Sequence, residues 1–230
     1  MFPLQDTIPA RGVPLVTWTI ILINTVAFFF ELSVPPVELE RFVSLVGFVP
    51  AHFANDPGNA WTLITCMFLH GSWAHFISNM WMLYLFGDNV EDRMGPARYL
   101  IFYLLCGIGA GLAHYLANST STIPTIGASG AIAGVLGAYF KLFPTANVIT
   151  LVLIIFWPLF FEIPAVLFIG IWFISQLWSG TFALMAHQFF MGVAWWAHVG
   201  GFIAGIILLP LFRLPDADYR AFNEDEYQPW

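Results

Sequence analysis

The chain of 230 residues is 59% hydrophobic and 18% aromatic, with only 9% charged residues and a formal net charge of -7. Ordinary soluble domains carry roughly 25% charged residues, so this composition excludes a soluble globular protein and predicts an all-α polytopic membrane protein. Much of the acid lies in one C-terminal stretch, residues 214–230, where Asp216, Asp218, Glu224, Asp225 and Glu226 form a tail expected to be solvated and disordered. Cys66 and Cys106 sit in apolar surroundings without C-x-x-C spacing and read as packing residues.

A spanning helix needs about 20 mainly apolar residues, and six stretches qualify in chain order. Residues 1–13 form a polar N-terminal segment expected on the cytoplasmic side. The first span runs from about Pro14 to Leu32 and is ended by Pro35-Pro36; with no small-residue cleavage site behind it, it is expected to be retained. The connection from Ser33 to about Ser72 is aromatic but broken by Pro50, Pro57 and Gly58, which predicts an interfacial outer loop. The second span is Trp73 to Phe86, the third Ala97 to Ala117 and the fourth Ser129 to about Phe143. Asn147 to Glu162, interrupted by Pro158, reads as an interfacial connection. The fifth span is Pro164 to Leu177, followed by a polar break at Ser179-Gly180 that continues through His187 and Gln188. The sixth is Val193 to Phe212, so the membrane domain covers 14–213.

Basic residues favour the cytoplasmic side of short loops. With both termini inside, Arg11, Arg93, Arg98, Lys141, Arg213 and Arg220 are internal and only Arg41 is external. Spans two, four and six then run inward from the outer surface. Ser129 opens span four inside the run TIGASGAIAGVLG, and His198 lies five residues into span six, a depth of ~8 Å at 1.5 Å per residue. A serine hydroxyl attacks only when a base takes its proton, and an ionisable side chain inside a span suggests function. Ser129 and His198 are therefore the expected nucleophile and base. Gly130 and Gly134 face Gly201 and Gly205 in small-residue spacing that lets membrane helices approach closely; packing alone would also account for a serine in such a run. Glu31 and Glu162, the acids within apolar stretches, both sit at span ends, so a two-residue Ser-His arrangement is what the sequence permits. His75 and Asn79, four apart on one helical face, are suitable donors to an oxyanion. Zinc bound by His70, His75 and His114 is the rival reading, and the absence of an H-E-x-x-H pattern weighs against it. No metal or other cofactor is expected.

From Trp61 to about Pro210 the chain resembles the rhomboid intramembrane serine proteases. The resemblance rests on His70-x4-His75-x3-Asn79, on Gly87-Asp88-Asn89-Val90-Glu91-Asp92-Arg93-Met94-Gly95, on Gly127-Ala128-Ser129-Gly130, and on Ala197-His198-x2-Gly201-x3-Gly205. It implies a six-helix rhomboid bundle opening outward, with Ser129 as nucleophile, His198 as general base, and His75 and Asn79 lining the oxyanion site. It also implies membrane-protein substrates, single-span or polytopic, cut in or near a membrane segment of the lipid bilayer, and no nucleic acid. Many members carry a Trp-Arg pair in the first outer loop, whereas here Thr62 follows Trp61. A bacterial plasma membrane is the expected location. The alternative is a proteolytically inactive rhomboid-like protein that binds membrane clients; a transporter would call for inverted repeats or mid-membrane charge, and neither is present.

Overall fold

The computed structural model describes residues 2–154, 157–185 and 193–215. The first long helix, α1 (Leu15–Ser33), starts after Pro14 and stops where Val34 is extended ahead of Pro35, as a residue before proline prefers. Its free N-terminal amides are met by the Glu91 carboxylate, which accepts from Val16 N (2.9 Å), Thr17 N (2.8 Å) and the Thr17 hydroxyl (2.8 Å). The connection that follows holds three short helices, α2 (Pro36–Val46), α3 (Pro50–Asn55) and α4 (Thr62–Thr65). Thr62 is buried, and its hydroxyl donates to the Asn59 carbonyl at 2.7 Å. In helix α5 (Trp73–Met94) the N-cap Ser72 accepts from His75 N; the helix ends at Gly95, whose φ of 75° few other residues tolerate. Pro96 then opens α6 (Pro96–Ala117).

Helix α7 (Ser129–Leu142) is the innermost element, buried at every position from Gly130 to Tyr139. Its 14 residues give only ~21 Å of length, less than the ~30 Å of a bilayer core. Neighbouring helices rather than lipid cover it, so it need not present a full apolar span. Helices α8 (Ala165–Met185) and α9 (Trp195–Phe212) complete the bundle. Close approach of α7 and α9 depends on glycine: a Cβ on Gly201 would fall against the Gly130 carbonyl oxygen, and one on Gly205 against that of Gly134. The paired glycines expected to bring these helices together do so.

Among the described residues four helices, α1, α6, α8 and α9, are long and apolar enough to cross a membrane. Their outward faces are apolar, with Leu22 and Val26 on α1 and Ile171, Ile174 and Trp178 on α8 all exposed. The other two expected spans correspond to α5, whose last turns carry Asp88, Glu91, Asp92 and Arg93, and to the short α7. Helix α8 also runs through the break anticipated at Ser179-Gly180. Gly180 is a packing position: a Cβ there would stand 3.2 Å from that of Trp195. Cys66 and Cys106 are free and buried, as packing residues should be. His187, Gln188 and the acidic tail from Asp216 lie outside the described residues.

The all-α expectation needs one correction. Asn147–Ile154 (β2) and Trp157–Pro164 (β3) form an antiparallel hairpin where an interfacial connection was expected, and the N-terminal Phe2–Asp6 (β1) adds a third strand beside β2. Strand β1 is pinned to the bundle. Trp81 Nε1 donates to the Pro3 carbonyl at 2.7 Å, and Asp6 Oδ2 accepts from both Tyr139 OH (2.6 Å) and Asn89 Nδ2 (2.8 Å). Burial raises the Asp6 carboxyl to about 7, against the pull of the Tyr139 hydrogen bond and reinforced by Asp88. A carboxyl raised on folding stabilises the fold fully below its unfolded value, and that contribution is lost as pH rises towards about 7. Asp6→Asn keeps one oxygen for both donors and removes the titration. The melting temperature of the parent in detergent should therefore fall more between pH 4 and pH 8 than that of Asp6→Asn; equal slopes would contradict this account of Asp6.

Candidate active site

The segment before Ser129 is held in place by backbone bonds. Phe48 and Thr125 exchange a pair (Phe48 N to Thr125 O at 3.1 Å, Thr125 N to Phe48 O at 2.8 Å), Ala51 N donates to Ser121 O at 2.9 Å, and Gly127 N donates to Cys66 O at 2.8 Å. The connection after α1 thus fixes the approach to α7. Gly127 has a φ of 120°, and a Cβ there would stand 2.5 Å from His75 Nε2. Both conformation and space demand glycine.

Ser129 is the first residue of α7, where backbone N–H groups have no partner within the helix. Its Oγ lies 2.8 Å from His198 Nε2. His198, in the first turn of α9, reaches Gln176 Oε1 of α8 through Nδ1 at 2.7 Å. The rings of Trp172 and Trp195 flank the imidazole at centroid distances of 5.9 and 6.3 Å. The two residues paired by depth in the sequence are therefore in hydrogen-bond contact. Gln176 went unrecognised in the sequence, although a lone amide inside an apolar span is the kind of signal that asks for a partner.

His75 and Asn79 stand one turn apart on α5, facing the same place. The Asn79 side-chain nitrogen lies 3.6 Å from where a Cβ on Gly127 would be. It is buried and meets no acceptor among the described residues. All four expected site residues line one cavity of about 1050 Å³, together with His114 and Trp195. His70 does not line it. The His70 ring is buried 5.0 Å from that of His75, its backbone N–H donates to the Glu31 carboxylate at 3.2 and 3.1 Å, and burial pushes its imidazole down to about 3. Among the described residues no group of three or more His, Cys, Asp or Glu side chains could hold a metal ion.

A serine in hydrogen-bond contact with a histidine at a helix start, beside a buried amide without an acceptor among the described residues, lines a cavity in a bundle with membrane-crossing helices, which defines the class: an integral membrane protein. The Rhomboid domain model matches residues 57–214 of this chain. The chain belongs to the rhomboid family, an intramembrane serine protease family, and is an integral membrane protein. It is 32% identical over 129 residues to the putative rhomboid protease YdcA of Bacillus subtilis, covering 56% of this chain and 62% of that protein. It is 33% identical over 129 residues to rhomboid protease GluP of the same organism, covering 56% and 24%. To RHOMBOID-like protein 5 of Arabidopsis thaliana it is 37% identical over 83 residues, covering 36% and 27%. The match thus spans between 24% and 62% of these three relatives' lengths.

The contact at Gly127 is open to test against Gly95, which has a φ of 75° and open space within 4 Å of where a Cβ would stand. Gly95→Ala should cost about 1–3 kcal/mol for the backbone conformation alone, since φ 75° with ψ 158° is a region kept almost entirely for glycine. Gly127→Ala adds the collision with His75 and should lower the melting temperature further; an equal loss for the two variants would count against the contact.

Proposed function

We propose that this protein is an intramembrane serine endopeptidase that hydrolyses peptide bonds in or near the membrane segments of other membrane proteins through a Ser129-His198 dyad. The observation that carries the reading is the 2.8 Å contact between Ser129 Oγ and His198 Nε2. In the first half-reaction Ser129 Oγ attacks the scissile carbonyl while its proton passes to His198 Nε2. The carbonyl oxygen becomes an oxyanion, held by the Ser129 backbone N–H and the side chains of His75 and Asn79. Collapse breaks the C–N bond, and the proton on Nε2 goes to the departing amine. Water then takes the place of Ser129 Oγ: His198 removes its proton, the acyl-serine ester is cleaved, and the proton returns to Ser129.

The unpartnered Asn79 amide supports its place in the oxyanion site. A buried donor without an acceptor is costly, and the developing oxyanion would supply one. Six spans with both termini cytoplasmic, and a site opening to the outside of a bacterial plasma membrane, complete the reading.

Purified protein incubated with a single-span reporter protein should release a defined fragment, and a fluorophosphonate should label the chain. Ser129→Ala should abolish both; cleavage that survives Ser129→Ala would reject the serine mechanism, leaving a client-binding rhomboid-like protein. Asn79→Ala should lower kcat about 100- to 1000-fold with a smaller change in KM, because only bonds stronger in the transition state speed the chemistry. Near-normal turnover with reduced melting temperature would instead make Asn79 a structural bond. Orientation is tested by cysteines at Ser119 and Arg98, exposed residues near opposite ends of α6, in a background lacking Cys66 and Cys106. An impermeant reagent added to intact cells should reach position 119 and spare position 98; the reverse pattern would invert the topology.

A further inference from the structure

We infer that Gln176 is a positioning residue for the base: its side-chain oxygen holds the Nδ1–H of His198 and thereby fixes the tautomer whose Nε2 lone pair faces Ser129. This rests on the serine-protease reading and adds a third member to what the sequence permits only as a pair.

Gln176 is 5% exposed, and the other buried residues of α8 are Ala165, Ile169 and Gly180. A buried amide on an otherwise apolar membrane helix needs partners, and it has them on both sides. Its Oε1 is 2.7 Å from His198 Nδ1. Its Nε2 donates to the Trp172 carbonyl at 3.3 Å and to Ser175 Oγ at 2.9 Å, while the Ser175 hydroxyl donates to that same carbonyl at 2.6 Å.

The network decides which end of the amide faces the histidine. A backbone carbonyl only accepts, so the amide nitrogen belongs on the Trp172 side. Reversing the amide would set its oxygen against the Trp172 carbonyl, two acceptors face to face, and would present a donor to Nδ1. Nδ1 would then have to be the bare nitrogen and Nε2 the protonated one, leaving no base for Ser129. With the amide as it stands, donors run in one direction: Ser129 O–H to His198 Nε2, His198 Nδ1–H to Gln176 Oε1, Gln176 N–H to Trp172 O. A hydrogen bond on one imidazole nitrogen sets the state of the other.

The choice of an amide over a carboxylate follows from the surroundings. Both accept from Nδ1–H, but a carboxylate would bury a full charge among membrane helices, and an amide orients the ring without one. Trp172, one turn before Gln176, faces the same ring, so α8 supplies both the contact that confines the imidazole and the bond that turns it. The plain alternative is an interhelical bond that ties α8 to α9 with no bearing on the chemistry.

The test uses the full-length protein in detergent, a single-span reporter protein as substrate, a fluorophosphonate as a second probe, and the variants Gln176→Leu and Gln176→Glu. Gln176→Leu should lower kcat about 10- to 100-fold, the range known for losing the partner that orients a metal-bound imidazole, with KM within about two-fold and fluorophosphonate labelling slowed in step. Gln176→Glu should restore much of the rate, since one carboxylate oxygen accepts from Nδ1–H and the other, in the place of the amide nitrogen 2.9 Å from Ser175 Oγ, accepts from the Ser175 hydroxyl turned away from the Trp172 carbonyl. It should also move the acid limb of the pH-rate profile upward, because a nearby negative charge favours the imidazolium. His75 from α5 and His114 from α6 are the other titratable groups acting on His198; both remain in every variant, so the shift belongs to position 176. Leu and Glu variants with equal kcat and superimposed pH profiles would overturn the inference, as would Gln176→Leu at the parent's kcat with only its melting temperature lowered. If Gln176→Leu fails to fold, the pH profile of Gln176→Glu decides alone: an unmoved acid limb overturns the role. Failure of the underlying reading looks different. A parent that neither cleaves nor labels, or cleavage that survives Ser129→Ala, removes the serine mechanism itself and the role of Gln176 with it.

Discussion

The backbone contact between α7 and α9 is the constraint on which the site depends. Gly201 lies against the Gly130 carbonyl and Gly205 against that of Gly134. Ordinary helix pairs pack with axes about 8–10 Å apart and side chains between them; here backbone lies against backbone. Glycine removes the side chains that would hold the axes apart, and His198, three residues before Gly201, then reaches Ser129, immediately before Gly130. The small residues set the distance and the two polar residues use it.

Around that contact the polar groups are supported without a charged partner at the reacting atoms. Ser129 begins its helix because the preceding loop is tied to Phe48, Ala51 and Cys66 through main-chain bonds. His75 and Asn79 are placed by a helix that Ser72 caps. The Nδ1 of His198 meets a neutral amide. The carboxylates that are buried serve elsewhere: Glu91 caps α1, Glu31 accepts from the His70 amide, and Asp6 anchors β1. In a membrane, where unpaired charge is costly, these carboxyl groups sit at helix ends and strand anchors, away from the Ser129-His198 contact.

Much of this was legible in the chain because the punctuation is strong. Pro14 and Pro35 bound α1 where the sequence places it and Pro96 opens α6 next to the expected start at Ala97, but α5 runs on past the expected end at Phe86 to Met94; the glycine spacing of α7 and α9 reads as a close-packed pair. The depth argument that put His198 level with Ser129 used only helix rise and direction. The hairpin was hidden because β2 and β3 do not alternate: residues 148–154 are almost uniformly apolar, and Pro158 argues against an inner strand, although β3 lies at the sheet edge where proline is tolerated. Gly180 suggested a break from its sequence neighbours, but its reason is the tryptophan pair at 195 and 196 that packs against it. Gln176 was hidden for a different cause: its partner is 22 residues away on another helix, and no local pattern announces a bond of that kind.

The N-terminal strand imposes an order on assembly. Phe2–Asp6 bonds with residues around 148–151, and the Asp6 carboxylate with Tyr139, 133 positions further along the chain. Contacts of such separation form late, because a long loop must close before they return any free energy. Helix α1 can enter the bilayer while the ribosome is still far from β2, yet the five residues of β1 have no strand to join until the chain has been made through Asn147–Ile154. Strand β1 is thus made before α1 yet is among the last elements to find its place, and its docking marks completion of the helices it rests upon.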